Sequence, residues 1–403
     1  MERQILHVDV NNAFLSWTAV DMLKKGCIID IREIPSVIGG DESRRSGIVL
    51  AKSPKAKIFG ISTGETLYQA RIKCPKLKIY PMNYNLYKES SNKLYQLLLQ
   101  YTDKIERFSI DECFLDMTNY LQGKTLLSKA YEINKRVKEE LGFTVNIGVA
   151  HNKLLAKMAS DFTKPDKVHT LFEEEIERKM WPLPVSELFM LGRKTIPKLY
   201  NMRIKTIGQL AKTDKQIIIK KFGKHGLMMW EYANGIDNSE VQYKHEKPKG
   251  IGNSTTLPID VNDISKLEEV LLTLTEQVTY RLRKYNLLAN VVNVQLRTKD
   301  FEDKSHQRKL LRATSSTKEI YEEAKKLLYE MYIKGTLIRL IGMRVDNLVE
   351  KDEMQLSFFN QADNEKQEKI DKVIDDLKQK YGYTSITRAG KLNIEKEIKL
   401  KDV

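Results

Sequence analysis

Cysteine is scarce in this 403-residue chain: Cys27, Cys74 and Cys113 are the only three, far apart and in no paired metal or redox spacing. That scarcity excludes a disulfide framework and fits reduced thiols in a cytoplasm, serving as small core residues. No apolar run approaches the roughly 20 residues of a transmembrane helix. Met1 leads straight into strand-like sequence without a targeting leader, so the expectation is a soluble protein with no membrane role. Acid is short of base, with 54 Asp plus Glu against 68 Lys plus Arg, a net charge of +14 and a sequence pI near 9.3. The imbalance points to a polyanionic partner, nucleic acid first. What is present in quantity is length and apolar content: 403 residues at 41% hydrophobic exceed one core and suffice for several domains.

Residues 4–10 form an apolar run that carries Asp9, and Asn11 and Asn12 follow as candidate N-caps of a helix through Phe14, Trp17 and Met22. Residues 47–50 read as a short strand, followed by basic residues Lys52, Lys55 and Lys57 and a helix-like stretch up to Pro75. Helical spacing over 84–104 leads into a hairpin over 105–117, a helix over 126–141, a strand over 144–150 and a helix over 153–162. Acid-bearing strands interleaved with helices predict an α+β catalytic domain. From 173 to 234 the pattern is all-helical, and residues 191–250 carry 13 basic against 5 acidic residues, which is +8 of the +14. Within it, 185–191, Ile196–Tyr200 and 207–210 have the outline of a helix-hairpin-helix, whose turn amides can hold a DNA phosphate. The turn is Gly192-Arg193-Lys194 in place of Gly-x-Gly, so an ordinary αα-hairpin is the equal alternative. Residues 237–249 are polar and read as a tether. Beyond it, strands and helices near 250–256, 264–285, 289–298, 308–314, 317–332 and 336–345 give β-α-β-β-α-β, a four-stranded sheet backed by two helices. The last 53 residues balance at 11 basic and 11 acidic, unlike an electrostatic DNA arm; 366–381 reads as a helix through Ile370, Val373, Ile374 and Leu377.

Chemistry points to three acids. Asp9 ends an apolar strand, where an uncompensated carboxylate is costly to bury, and Asp111-Glu112 lies in a second such run, Phe108 to Asp116. Carboxylates converging from two strands suit hard cations such as Mg²⁺, and a pair of such ions clamps the attacking and leaving oxygens of a phosphoryl transfer. The plainer alternatives are an acid that merely precedes a helix and a solvated hairpin turn. Spacing does not separate them.

The runs HVDVNNAFLSW (7–17), FSIDECFLDM (108–117), VNIGVAHNKLLAKMASDFTKPD (145–166) and QLSFF (355–359), in this order, resemble the DinB/UmuC group of Y-family (lesion-bypass) DNA polymerases, most of all its DNA polymerase IV branch. The likeness spans nearly the whole chain except the tail after about Asn360. It implies a right-hand polymerase: palm over 1–11 and 78–166, small fingers over 12–77, all-α thumb with its helix-hairpin-helix over 167–236, linker 237–249, little finger 250–348 and a tail 349–403. It implies that Asp9 and Asp111 bridge two Mg²⁺ ions, with Mn²⁺ able to substitute, that Glu112 completes the catalytic site, and that the Val10 carbonyl adds a ligand. Phe14 matches the steric gate against ribonucleotides; its plainer role is a core residue of an amphipathic helix. Lys164 matches a triphosphate-binding lysine. Lys57 stands where the family usually has arginine, and a lysine lacks the bidentate fork. Pro54 stands where many relatives have tyrosine, and Asn11 where they often have aspartate.

Gln355, Leu356, Ser357, Phe358 and Phe359 resemble the peptide that docks into the sliding clamp (β subunit); packing on the chain's own last domain is the alternative. The implied activity is template-directed addition of deoxynucleoside triphosphates to a primer-template by a cytoplasmic monomer, with low fidelity, translesion synthesis and a part in DNA repair. No stretch suits a proofreading exonuclease. The rivals are a UmuC-like subunit that needs an accessory partner, a two-metal nuclease, and a non-catalytic clamp-associated DNA-binding protein.

Overall fold

The computed structural model describes residues 2–42, 45, 47–244, 247–351, 361–382 and 385–386. They fall into two compact units, one of residues 1–40 and 47–245, the other of 41–46 and 246–403. Among the described residues no helix is long and apolar enough to cross a membrane.

In the first unit, strands β1 (Ile5–Val10), β5 (Ile105–Arg107), β6 (Glu112–Asp116), β7 (Val145–Ala150) and β8 (Val168–Thr170) form a sheet ordered β5-β6-β1-β7-β8. β1 is its centre and is buried along its whole length. Alternation along β1 divides its residues between two cores. Leu6, Val8 and Val10 join the core that contains α1 (Ala13–Lys24), α4 (Tyr84–Leu98) and α5 (Leu126–Arg136). Ile5 joins the other, built on α6 (Lys153–Ser160) and the helices that follow it. His7 and Asp9 share that second face, which is why the acid meets α6. A second sheet, β2 (Ser36–Gly39), β3 (Val49–Lys52) and β4 (Lys78–Pro81), is ordered β3-β2-β4 and packs with α2 (Pro54–Ile58) and α3 (Leu67–Lys73). Since β4 pairs with β2, this sheet runs past the boundary expected at residue 77, and β8 carries the large sheet past 166.

Helices α7 (Ile196–Asn201), α8 (Ile207–Lys212), α9 (Lys215–Phe222) and α10 (Lys224–Ala233) follow. The first helix expected in the hairpin motif is only a 3₁₀ turn, Val185–Glu187, whose Val185 N–H bonds the Lys205 carbonyl at 2.8 Å. The long-range bond replaces helical continuation. The helix expected over 126–141 keeps α geometry to Arg136 and ends in a π turn, Val137–Leu141.

Gly148 fixes the distance between sheet and helix. It pairs with His7 across β1 and β7, and a Cβ there would sit 1.8 Å from the Ala156 carbonyl oxygen and 2.7 Å from Ser160 N. Only a bare backbone lets α6 lie this close. Gly148→Ala is therefore expected to cost at least about 3 kcal/mol, the upper end for overpacking, because the obstacle is main chain that cannot rotate away. Urea denaturation measures it; a midpoint equal to wild type would show that α6 has room to move.

The second unit has strands β9 (Gly250–Val261), β10 (Leu287–Thr298), β11 (Asp303–Thr314) and β12 (Ile338–Glu350), ordered β11-β10-β12-β9 and antiparallel throughout, with α11 (Ile264–Lys284) and α12 (Thr317–Met331) against one face. This is the expected β-α-β-β-α-β order. β11 begins five residues before the expected 308, because Asp303 to Gln307 are polar edge residues whose strand geometry comes from pairing with β10. The final described helix, α13 (Gln361–Tyr381), turns charge inward. Asp371 and Lys378 are buried while Ile370 and Val373 are exposed. Arg283 grips Asp375 through Nε and Nη2 at 2.6 and 2.8 Å, and Lys378 donates to Glu276 at 3.1 Å.

Candidate active site

Register brings two of the acids together. β1 and β6 pair so that Asp9 lies opposite Glu112. Asp111 sits one residue before β6, and its carbonyl accepts the Val10 N–H at 3.1 Å, which ties the third acid to the end of β1. Its half-buried carboxylate accepts from Ser109 Oγ at 2.6 Å. Asn11 is buried, and its amide oxygen accepts from Thr144 Oγ1 and the Asp166 N–H, both at 2.9 Å, while its nitrogen donates to Asn146 Oδ1 at 3.2 Å. A carboxylate could not make that last donation, which ties Asn11 to β7; the acceptance from the Asp166 N–H, which holds the Lys164 loop to the strand end, needs only the oxygen. Asn12 occupies the N-cap position of α1 in left-handed geometry, φ 48°, but its side chain makes no cap bond.

Two lysines neutralise the acids. Lys164 Nζ donates to Asp9 Oδ2 at 2.5 Å and lies 2.9 Å from Asp161 Oδ1. Lys157, on α6, donates to Glu112 Oε1 at 3.1 Å and stands 3.1 Å from Asp161 Oδ2 and 3.8 Å from Asp9 Oδ2. His7 is fully buried below them, bonded through Nδ1 to Ser160 Oγ at 2.8 Å, with Nε2 3.7 Å from Glu112 Oε2. Burial pushes the Asp9 carboxyl above its usual range despite both ammonium groups. Burial also pushes Glu112 upward, but the His7 imidazole and the Lys157 charge outweigh it and hold Glu112 at about 2. Burial lowers the His7 imidazole.

Asp9, Asn11, Glu112 and Lys164 line one cleft of about 580 Å³, together with Val10, Phe14, Lys52, Pro54, Lys57, Asp111 and Asp161; Lys157 and His7 are not part of that lining. Every expected palm and fingers site residue is therefore in one place. Phe14 forms part of the wall and stacks on Tyr87 with ring centroids 4.6 Å apart and planes at 15°. Pro54 opens α2 at a first-turn position where a missing N–H costs nothing. The run Gln355 to Phe359 lies outside the described residues.

Among the described residues no three acid, histidine or cysteine side chains are gathered as a ready metal cage. The donor set nonetheless fits a hard cation. Two facing carboxylates, one nine-tenths buried, already bind the ammonium groups of Lys157 and Lys164, and a third carboxylate lines the same cleft. Sequence reasoning missed Lys157, His7, Asp161 and Tyr87. The signal for Lys157 was available: its neighbours Leu154, Leu155, Ala156, Met158 and Ala159 are apolar on every side of the helix and all buried, so the lysine had to be buried as well.

Comparison with known proteins follows the same outline. The impB/mucB/samB family profile matches residues 8–161 and the family's C-terminal domain matches 248–358. DNA polymerase IV of Clostridium acetobutylicum is 49% identical over 399 residues, covering 99% of this chain and 100% of that protein. DNA polymerase IV of Acetivibrio thermocellus is 37% identical, covering 96% and 97%. Among solved structures, the Y-family DNA polymerase chimera Dbh-Dpo4(243-245)-Dbh superposes with a TM-score of 0.75 at 24% identity, covering 86% of this chain and 99% of the other. DinB from Sulfolobus solfataricus gives 0.58 at 25% identity with the same coverage.

Proposed function

The chain belongs to the impB/mucB/samB family of Y-family DNA polymerases, and from that footing we propose that Asp9, Asp111 and Glu112 are its catalytic carboxylates, with two Mg²⁺ ions as their partners. It is a DNA-directed DNA polymerase of the translesion type, and its family uses divalent metal. The observation that carries the site assignment is the β1–β6 register, which sets Asp9 against Glu112 inside the cleft that also contains Asp111, Phe14, Lys57 and Lys164.

Bound divalent metal, Mg²⁺ or Mn²⁺ in its place, supplies charge for the attacking 3′-oxygen and the leaving pyrophosphate. The chain's own groups do the rest. Asp9, Glu112 and Asp111, with the Val10 carbonyl, hold that charge at the end of β1. Lys164 exchanges Asp9 for a triphosphate oxygen and stabilises the departing pyrophosphate. Lys57 contacts phosphate as a point charge, with Lys52 beside it in the cleft. Phe14 packs against the sugar at C2′ and excludes a hydroxyl. In domain terms the five-stranded sheet is the palm, the three-stranded sheet with α2 and α3 the fingers, the helices from α7 to α10 the thumb, and the β9–β12 unit the little finger. The enzyme works as a cytoplasmic monomer.

Primer extension by the lone protein over intact and damaged templates, with Mg²⁺ and all four deoxynucleotides, tests the reading. Extension past the lesion is expected. A shortened primer without nucleotides would indicate a nuclease, and growth only after addition of cell extract would indicate a subunit that needs a partner. Gln355, Leu356, Ser357, Phe358 and Phe359 dock into the sliding clamp by this reading. Deleting them is expected to leave intrinsic extension unchanged and to abolish stimulation by added clamp on a primed circular template; undiminished stimulation would place the clamp contact elsewhere.

A further inference from the structure

Lys157 differs from Lys164 in being enclosed and outside the cleft lining. Its side chain is 9% exposed, against 36% for Lys164. Three carboxylates face its ammonium group: Glu112, Asp161 and Asp9, at 3.1, 3.1 and 3.8 Å. Its main chain is fixed as well. Its carbonyl accepts from Ser160 Oγ at 2.8 Å, and Ser160 in turn meets His7. The bare Gly148 backbone admits α6, the helix that carries the lysine, close against the sheet. Lys164 lies at the open side and can leave Asp9 for a phosphate. Lys157 is enclosed among its three carboxylates.

A fixed positive charge beside two metal-binding carboxylates repels an arriving cation. Its effect is larger than at a surface, because the site is screened from water. We propose that Lys157 is a resident counter-cation that keeps the affinity of the Asp9–Glu112 pair for free divalent metal low, so that metal is held firmly only when the triphosphate adds its own negative charge. The inference rests on the reading that these acids are metal ligands. Lys157 is then a positioning residue, which acts through Asp9 and Glu112 and makes metal entry conditional on nucleotide.

The test is calorimetric titration of Mn²⁺ alone into the full chain, without DNA or nucleotide. Lys157→Met keeps a similar apolar stem and removes the charge. It is expected to bind Mn²⁺ at least about tenfold more tightly than wild type, a gain that mere structural damage would not produce. Its melting temperature, lowered without metal, should rise with Mn²⁺ by more than that of wild type. Lys157→Arg keeps the charge and should restore weak binding; Lys157→Gln serves in the same titration if the methionine variant does not fold. Affinity in the neutral variants equal to or weaker than wild type overturns the proposal. Adding Asp9→Asn to the neutral variant separates it from the underlying site reading. If Mn²⁺ still binds tightly there, the acids are not the ligands and both ideas fall; if binding is lost but the neutral variant had shown no gain, only the role of Lys157 falls.

Discussion

Asp111→Ala is expected to lower single-turnover nucleotide incorporation by roughly 10³-fold or more while leaving stability within about 0.5 kcal/mol of wild type. The two halves of that expectation come from different atoms. The Asp111 main chain anchors the loop through its carbonyl bond to Val10 N–H, and alanine keeps it. The carboxylate is half-buried and hydrogen-bonded to Ser109 Oγ, so its removal leaves no buried charge behind. Asp9→Ala should be as inactive but is the poorer test. It strips Lys164 and Lys157 of a partner in a buried setting, and an unpaired buried charge destabilises by itself. Incorporation measured beside thermal melting separates chemistry from folding. Activity within a few-fold of wild type would remove Asp111 from the catalytic set.

The elements that hold the site were legible because they are governed by local pattern. Residues 5–10 and 145–150 are short apolar runs of strand length, and 13–24 has its apolar residues at helical spacing; each formed within a residue or two of its expected limits. The β-α-β-β-α-β order of the second unit was legible too, although three of its strands run about five residues beyond their expected limits. Other features depend on partners far away in the chain. β2 and β4 are four residues each and pair in parallel across some forty residues, which no local period announces. The 3₁₀ turn at Val185 follows from one bond to Lys205. In α13 the apolar positions Ile370 and Val373 suggest a buried stripe, yet charge faces the domain, because Arg283 and Glu276 on α11 take Asp375 and Lys378 as partners.

At the site, the residue types were readable and their pairing was not. Asp9 and Glu112 are a hundred residues apart, and only the β1–β6 register sets them face to face. Lysines 157 and 164 then follow from electrostatics: facing carboxylates at the centre of a sheet require cations, and α6, held close by Gly148, is the nearest element able to supply one. A sequence reader who asks what balances a buried acid, in addition to what the acid binds, would look for a lysine inside an apolar helix and find Lys157.

Phe14→Ala is expected to raise ribonucleotide incorporation relative to deoxynucleotide by about 100-fold or more, since in the proposed role its clash with one hydroxyl carries the discrimination. A steric gate works only if it cannot yield, and Phe14, proposed for that role, is backed by a wall. Phe14 stacks on Tyr87 at 4.6 Å, Trp17 lies 6.2 Å from Phe14 and 5.9 Å from Tyr87, and Phe143 meets Trp17 edge-on. Thr18 Oγ1 donates to the Phe14 carbonyl at 2.7 Å and lies 3.3 Å from the Tyr87 hydroxyl, which ties the backbone to the same wall. Loss of the half-buried ring should destabilise the fold by about 2 kcal/mol, less than for a fully buried phenylalanine, and deoxynucleotide use should fall by no more than about tenfold. Tyr87→Ala leaves Phe14 in place but removes its support. It should give a smaller gain in ribonucleotide use, because the ring can then swing away from the sugar. If neither variant accepts ribonucleotides better than wild type, Phe14 is a core residue of α1 and discrimination resides elsewhere.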